Sequence, residues 1–205
     1  MERLDYTKGI PDRFLAMEYL LKNYPQWRRK VTLIQIGSPS RTRVKEYIEQ
    51  KESIEALVGR INSEYSDHDW APIRYLYRTY VQEELAHFYR NADVALVTPL
   101  RDGMNLVAME YVASQNPESS GVLVLSQFAG VAEYLTEAVI VNPYFKESVA
   151  EGLDEALSMF LEERKKRYRA MIKFIKNNKV QKWATGYLDK LMKAHMDALK
   201  YRTKK

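Results

Sequence analysis

Short apolar runs alternate with amphipathic stretches along the first 145 residues of the chain. The runs are rich in Val, Ile and Leu and predict buried strands at 31–36, 73–77, 93–97, 121–125 and 138–141. Apolar residues spaced by three or four positions predict helices at 10–24, 43–65, 81–91 and 106–113, and a short one at 131–135. Since strands and helices alternate, we expect an α/β, Rossmann-like parallel sheet with helices on both faces.

The loop after the strand at 93–97 combines the features of an anion-binding site. Gly103 permits a close approach of the backbone, and Asn105 suits the N-cap of the following helix. Unpaired N–H groups and the helix dipole stabilise an anion at such a place. Glu110 lies about one and a half turns into the helix, where its carboxylate can accept hydrogen bonds from a ribose. The residues alone leave an ordinary βα turn equally open.

Positive charge is concentrated at the C-terminal end of the chain. Residues 161–205 contain 15 Lys or Arg and four Asp or Glu, so they carry +11, and residues 1–160 carry −6 of the net +5. An acidic body argues against a nucleic-acid-binding protein. We predict a Rossmann-like domain at 1–160 and a basic helical tail at 161–205. The helical pattern of 146–163 crosses this boundary, and a nearly continuous helical pattern follows from Arg164 to about Tyr201.

Composition excludes several classes of chemistry. Without cysteine there is no disulfide, thiolate metal site or cysteine nucleophile, and three scattered histidines predict no metal cluster. The string Asp67-His68-Asp69 is not expected to bind a metal, because consecutive loop residues seldom converge on one ion. No apolar run suits a signal peptide or a membrane span, so we expect a soluble cytoplasmic protein.

Three longer motifs point to a family. They are RLDYTKGIPDRF from Arg3, TPLRDGMNLVAMEYVASQ from Thr98 and GVLVLSQFAGVAEYL from Gly121. Together they closely resemble trehalose-6-phosphate synthases of glycosyltransferase family 20, over residues 1 to about 183. The resemblance implies one half of a GT-B fold, the C-terminal nucleotide-sugar-binding half, and a retaining transfer of glucose from UDP-glucose to glucose 6-phosphate without a cofactor. It also implies that the basic tail contains the helices that cross back to the N-terminal domain, with Trp183 matching a tryptophan there.

The resemblance also assigns residues to the site. Arg3 and Lys8 would hold the nucleotide diphosphate, and Asp102 would orient the hydroxyls of the donor glucose; these three are the predicted catalytic residues. The predicted donor-binding set is Arg3, Lys8, Tyr80, Asp102, Gly103, Met104, Asn105, Leu106, Val107 and Glu110, with Tyr80 near the uracil ring and Glu110 on the ribose. Arg41 would contact the phosphate of the acceptor. Without the resemblance, the arginines and Lys8 would be ordinary surface charges, and Tyr80 equally a core aromatic.

No residue stands out as a nucleophile, so retention is predicted to follow same-face attack assisted by the leaving diphosphate. Because the chain opens on the RLDYTKG loop without a complete preceding strand, we expect a truncated start. The missing N-terminal domain, or a partner chain, would supply much of the acceptor site, and the isolated chain is expected to be inactive. Two alternatives are a non-catalytic module that docks on a partner through its basic tail, and a related retaining enzyme such as a glucosylglycerol-phosphate synthase. A homo-oligomer is also left open.

Overall fold

A computed structural model describes residues 1–40 and 42–202, with side chains described as far as residue 197. Within this part of the chain, strands alternate with helices, as predicted, and a short strand at the start of the chain adds a sixth to the five predicted ones. The strands are β1 (Glu2–Arg3), β2 (Leu33–Ser38), β3 (Ile73–Leu76), β4 (Val94–Val97), β5 (Val122–Ser126) and β6 (Val139–Val141). The helices are α1 (Ile10–Asn23), α2 (Lys45–Tyr65), α3 (Gln82–Asn91), α4 (Leu106–Ser114), α5 (Lys146–Ser158), α6 (Leu161–Asn177) and α7 (Val180–Arg202).

All strand pairs are parallel, and they form two three-stranded sheets in the orders β1-β2-β3 and β4-β5-β6. The sequence predicts one parallel sheet, whereas the structure has two. Strand β1 has only two residues, and both pair with β2. In the second sheet Leu96 lies opposite Val124, and Leu125 opposite Ile140. Parallel pairing brings the carboxyl ends of neighbouring strands to a common edge, where α/β proteins bind their ligands.

Helices cover both faces of the sheets, which confirms the predicted α/β architecture. One cluster of buried side chains joins α1 and α2 to β3 through Phe14, Leu20, Ile61 and Ile73. A second joins α3, α4 and α6 to β5, and includes Leu85, Tyr111, Leu123, Leu125 and Met171. Burying an aliphatic or aromatic side chain of this size contributes about 1.5–3 kcal/mol. The apolar runs therefore anchor the strands whose ends carry the candidate site.

The C-terminal helices differ from the sequence prediction in their boundaries. The helix predicted at 146–163 ends at Ser158, and α6 begins only at Leu161. The helical pattern predicted to continue from Arg164 is interrupted at Asn178, which caps the C-terminus of α6. The helix predicted at 131–135 is a 3-10 turn at Gly130–Glu133. Helical propensity alone does not register such short interruptions.

The basic tail contains two helices, α6 and α7, which differ in how far they are buried. Helix α6 packs on the body of the domain and buries Tyr168 and Met171. Helix α7 instead exposes a row of apolar side chains, among them Trp183 and Tyr187, whose rings stack at 5.6 Å. The division of the chain at residue 160 stays a prediction.

Within residues 1–40 and 42–202, no helix has both the length and the apolar character that crossing a bilayer requires. The same residues contain no group of three or more His, Asp or Glu placed to share a metal ion. In the loop with the Asp-His-Asp string, the carboxylates of Asp67 and Asp69 lie 2.6 and 2.7 Å from the guanidinium of Arg29. These two acids therefore form a surface ion-pair cluster.

Candidate functional site

Three loops at the carboxyl ends of strands are joined by backbone hydrogen bonds. We call them the β1 loop (residues 4–9), the β4 loop (98–105) and the β5 loop (127–130). The amide of Leu100 donates to the carbonyl of Thr7 at 2.8 Å, which joins the β1 and β4 loops. The amide of Asp102 donates to Phe128 O at 3.2 Å, and the amide of Gly130 to Asp102 O at 2.9 Å. The β4 loop is thus held on both sides.

The Lys8 ammonium and the Asp102 carboxylate form the centre of this site. The Lys8 Nζ lies 2.6 Å from Asp102 Oδ2, and the two side chains are only 18% and 16% exposed. Asp102 Oδ2 also accepts a hydrogen bond from Asn105 Nδ2 at 3.0 Å, and Oδ1 accepts one from the Met104 amide at 3.3 Å. Burial alone would raise the pKa of Asp102, but these hydrogen bonds and the Lys8 charge lower it below its ordinary value. Asp102 is therefore ionised at neutral pH.

Asn105 controls the entry of the chain into α4. Its side chain accepts a hydrogen bond from the Ala108 amide at 3.2 Å, which confirms the predicted N-cap. Its φ is +74°, a left-handed conformation that Asn tolerates better than most residues. Gly103 does not occupy this region, and a Cβ added there would meet no atom within 4 Å. The space beside Gly103, in the loop that leads into α4, is therefore open.

Glu110 lies on the side of α4 that faces α3. The hydroxyl of Tyr89, a buried residue of α3, approaches Glu110 Oε2 at 3.5 Å, the outer limit of a hydrogen bond. Burial and, next, the charge of Glu110 raise the pKa of Tyr89 above its ordinary value, so this hydroxyl keeps its proton at neutral pH. The sequence did not identify Tyr89 as a neighbour of Glu110, the residue predicted to bind the ribose, because Tyr89 belongs to another helix.

The remaining predicted residues have different surroundings. Arg3 is exposed at the end of β1. Tyr80 is half-buried; its ring makes an edge contact with Phe88 at 5.2 Å, and the Arg78 guanidinium lies 4.1 Å from its centre. Around the start of α4, the three apolar residues of the predicted donor pocket differ in exposure: Met104 47%, Leu106 62% and Val107 partly buried. Arg41 lies outside the described residues.

Arg13 is a residue near the site that the sequence analysis overlooked. Its guanidinium contacts both of the first two loops, through the Lys8 carbonyl and the Thr98 hydroxyl. A signal for it existed in the sequence: Arg13 follows Ile10 by three positions and precedes Met17 by four, so it occupies the apolar face of α1. A charged residue at such a position needs partners in the protein interior.

These features define a class of protein. Helices on both faces of parallel sheets, and a cation and a helix N-terminus at the strand edge, are typical of doubly wound α/β proteins that bind nucleotides or other phosphate ligands there.

Comparison with known proteins identifies the family. The sequence model of glycosyltransferase family 20 matches residues 1–193. A trehalose-6-phosphate synthase from Sodalis glossinidius is 51% identical over 193 residues, which are 94% of this chain and 41% of that protein. The chain therefore belongs to glycosyltransferase family 20, as its motifs predicted, and it spans 41% of the length of this curated relative.

Solved structures agree with this assignment. A UDP-forming α,α-trehalose-phosphate synthase from Burkholderia xenovorans, in complex with glucose-6-phosphate, is 45% identical with a TM-score of 0.91, over 93% of this chain and 42% of that one. A trehalose-6-phosphate structure from E. coli, bound with UDP-2-fluoro glucose, is 49% identical with a TM-score of 0.90, over 92% and 42%. The predicted GT-B-type α/β fold is confirmed by these likenesses.

Proposed function

We propose that this chain is the donor-binding part of a trehalose-6-phosphate synthase, which transfers glucose from UDP-glucose to glucose 6-phosphate with retention. The observation that carries the proposal is the Lys8–Asp102 pair beside the N-terminus of α4, in a chain about half identical to such synthases. The two ligands present in the solved relatives, a UDP-glucose analogue and glucose-6-phosphate, support the substrate assignment. The similarity favours neither of the two alternative functions.

The diphosphate of the donor would bind between Lys8 and α4. An ammonium has three donors, so Lys8 can keep its bond to Asp102 and still direct N–H groups at phosphate oxygens. The amides of the first turn of α4 supply further donors, and the helix dipole adds positive potential. Arg3, exposed at the end of β1, would close over the same anion as a planar fork. Asp102, whose pKa lies below its ordinary value and which is therefore ionised well into the acid range, would accept hydrogen bonds from hydroxyls of the glucose.

The reaction would proceed by charge stabilisation rather than by a protein nucleophile. As the bond between the sugar carbon and the diphosphate breaks, negative charge develops on the leaving oxygen. Lys8, Arg3 and the N-terminus of α4 would stabilise this charge. The leaving diphosphate would accept the proton of the acceptor hydroxyl, which attacks the same face of the sugar, so configuration is retained and atoms and charge balance.

The proposal is tested by calorimetric titration of the 205-residue chain with UDP, UDP-glucose and glucose 6-phosphate, together with a coupled assay for UDP release. We expect binding of UDP and UDP-glucose but no useful turnover, because the resemblance assigns much of the acceptor site to the other half of the family's proteins. A companion domain or chain would complete the cleft and exclude water. Absence of UDP binding would contradict the donor-site proposal, and robust turnover by the chain alone would contradict the need for a companion.

Replacing Glu110 with Gln tests the ribose contact. The substitution should lower UDP affinity about tenfold, because a hydrogen bond to a charged group contributes about 1.5–3 kcal/mol. The melting temperature should change little, since Glu110 is only partly buried. A 2′,3′-dideoxyribose analogue of UDP sharpens the measurement: the wild type should bind it more weakly than UDP, and Glu110→Gln should discriminate less.

A matched control for that experiment is Glu83→Gln, an exposed acid in the first turn of α3. It should change neither the affinity for UDP nor the preference over the analogue. Equal discrimination by the wild type and by Glu110→Gln would show that Glu110 does not read the ribose.

The cytoplasmic location, the lack of a nucleic-acid partner and the oligomeric state stay predictions from the sequence.

A further inference from the structure

A buried guanidinium connects the two loops that carry Lys8 and Asp102. Arg13, in the first turns of α1, is only 2% exposed. Its Nε donates to Thr98 Oγ1 at 3.1 Å, and its Nη2 donates to the carbonyl of Lys8 at 3.2 Å. Thr98 is the first residue of the β4 loop, and Lys8 belongs to the β1 loop. One rigid, planar group therefore bridges the Thr98 side chain of the β4 loop and the Lys8 backbone of the β1 loop.

The interior balances this charge with side chains from the first sheet. Arg13 Nη1 donates to Gln35 Oε1 at 2.6 Å, and the Gln35 amide is held in turn by the Ile36 carbonyl at 3.0 Å. Glu2 Oε2 lies 2.8 Å from Arg13 Nη1, with both side chains almost fully buried. Neither Glu2 oxygen has a partner in hydrogen-bond geometry, so this contact is one of charge alone.

Such an arrangement is a poor source of stability. Desolvating two charges costs several kcal/mol, and an apolar pair of similar volume is often as stable or more so. What a leucine or methionine could not do is donate to Thr98 and to the Lys8 carbonyl at once. The position of the donors is therefore the property that distinguishes Arg13 from an apolar residue at this place.

We propose that Arg13 is a positioning residue for the diphosphate site, acting through the Lys8 backbone and through Thr98 rather than on the ligand. By fixing the β1 loop against the β4 loop, it keeps the Lys8 ammonium beside the loop that leads into α4, and these are the two groups proposed to bind the diphosphate. This inference rests on the proposed function of the site. It adds a residue of α1, which lies outside both loops.

Two substitutions separate positioning from stability. Arg13→Lys keeps a buried cation near Glu2 but presents its donors from a single nitrogen, so it does not reproduce the fixed spacing between the Nε and Nη2 that donate to Thr98 and the Lys8 carbonyl. Arg13→Gln removes the charge as well. We expect Arg13→Lys to lower the affinity for UDP about tenfold while the affinity for UMP, which lacks the second phosphate, changes much less, because small misplacements of binding groups are costly. Calorimetry gives the UDP/UMP ratio, and thermal unfolding gives the stability of each variant.

The matched control is Arg60→Gln. The side chain of Arg60, on α2, also forms a two-pronged pair with a residue of another helix: its Nη1 and Nη2 donate to the two carboxylate oxygens of Glu18, on α1, at 2.6 and 2.9 Å. This pair contacts neither loop. Its loss should leave the UDP/UMP ratio unchanged. In a Lys8→Ala background, Arg13→Lys should have little further effect on UDP affinity, because residues that act through one another are not additive.

Hydrogen exchange gives a readout that needs no ligand. The amide of Leu100 donates across the two loops to Thr7, whereas the amide of Val122 donates to Asp93 at 2.9 Å at the start of β5. Arg13→Lys should speed exchange at Leu100 and leave Val122 unchanged.

The outcomes are distinguishable. If the wild type fails to bind UDP, the proposed function is wrong, and the exchange rates still judge the coupling of the loops by Arg13. If the wild type binds UDP and Arg13→Lys keeps both the UDP/UMP ratio and the protection of Leu100, the positioning role is overturned. Equal acceleration of Leu100 and Val122 with a lowered melting temperature and an unchanged ratio would also overturn it, because Arg13 would then be structural only.

Discussion

Replacing Lys8 with alanine is expected to weaken UDP binding by about 10- to 100-fold, because each charge-assisted hydrogen bond contributes about 1.5–3 kcal/mol. Lys8 is mostly buried beside Asp102, so its loss removes a cation that water replaces poorly. It also leaves the Asp102 carboxylate with less compensation, which disfavours a nearby anion further. Calorimetric titration at one fixed ionic strength measures the effect.

Two comparisons make this result specific. Arg3→Ala should weaken UDP binding less, by a few-fold, since Arg3 is exposed and must be ordered by the ligand. Lys22→Ala, an exposed lysine in the last turn of α1, should change nothing beyond a small effect on net charge. Unchanged affinity in both Lys8→Ala and Arg3→Ala would remove the diphosphate from this edge of the sheet.

The local parts of the site were predictable from the sequence because local rules determine them. The run 93–97 predicts a strand and a polar loop after it, and Asn105 is a favoured N-cap before an apolar helix. The strand is confirmed, although Val97 is the fully buried residue of β4 and the residues before it are only partly buried. The structure shows that cap, with the Asn105 oxygen on the Ala108 amide. Spacing along the chain carries this information.

The long-range parts were not predictable in the same way. Lys8 and Asp102 are 94 positions apart, and nothing in their own surroundings in sequence specifies a contact of 2.6 Å. Only the family resemblance placed both at one ligand. Their pairing is accompanied by the hydrogen bond from the Leu100 amide to the Thr7 carbonyl, which joins the loop after β1, in the first sheet, to the loop after β4, in the second.

The sequence analysis assigned no role to Arg13, because the partners of a buried arginine cannot be read from its neighbours along the chain. Arginine is almost never fully buried unless it is paired, and its partners Gln35, in β2, and Thr98, in the β4 loop, are distant in sequence. The break at Asn178 was not predicted, because the lysine-rich stretch around it has continuous helical propensity and the interruption is only two residues long.

The geometry of the proposed site explains how an anion would bind in a domain of negative net charge. Residues 1–160 carry −6, so their general field repels phosphate. The β1 loop supplies Lys8, α4 supplies its N-terminus, and Arg13 holds the two together from inside. A few oriented positive groups at short range outweigh a diffuse and screened negative charge.

Gly9→Ala is expected to lower the free energy of unfolding by about 2–4 kcal/mol, and to weaken UDP binding with it. Gly9 has a φ of +62°, a conformation that costs an alanine about 1–2 kcal/mol. A Cβ at this position would also lie 2.7 Å from the carbonyl oxygen of Thr98 and 3.4 Å from the Leu100 side chain. The β1 loop could accept the methyl group only by moving away from the β4 loop, which would separate Lys8 from Asp102.

Gly59 offers a control of opposite sign. It lies within α2, and a Cβ added there would meet no atom within 4 Å. Gly59→Ala should therefore stabilise the protein by about 0.5–1 kcal/mol, because alanine is the better helix former, and should leave UDP affinity unchanged. Urea unfolding of both variants, beside UDP titration, gives the two free energies. If Gly9→Ala were as stable as the wild type and bound UDP equally well, the close packing of the β1 loop on the β4 loop would not be what assembles the site, and the positions of Lys8 and Asp102 would need another cause.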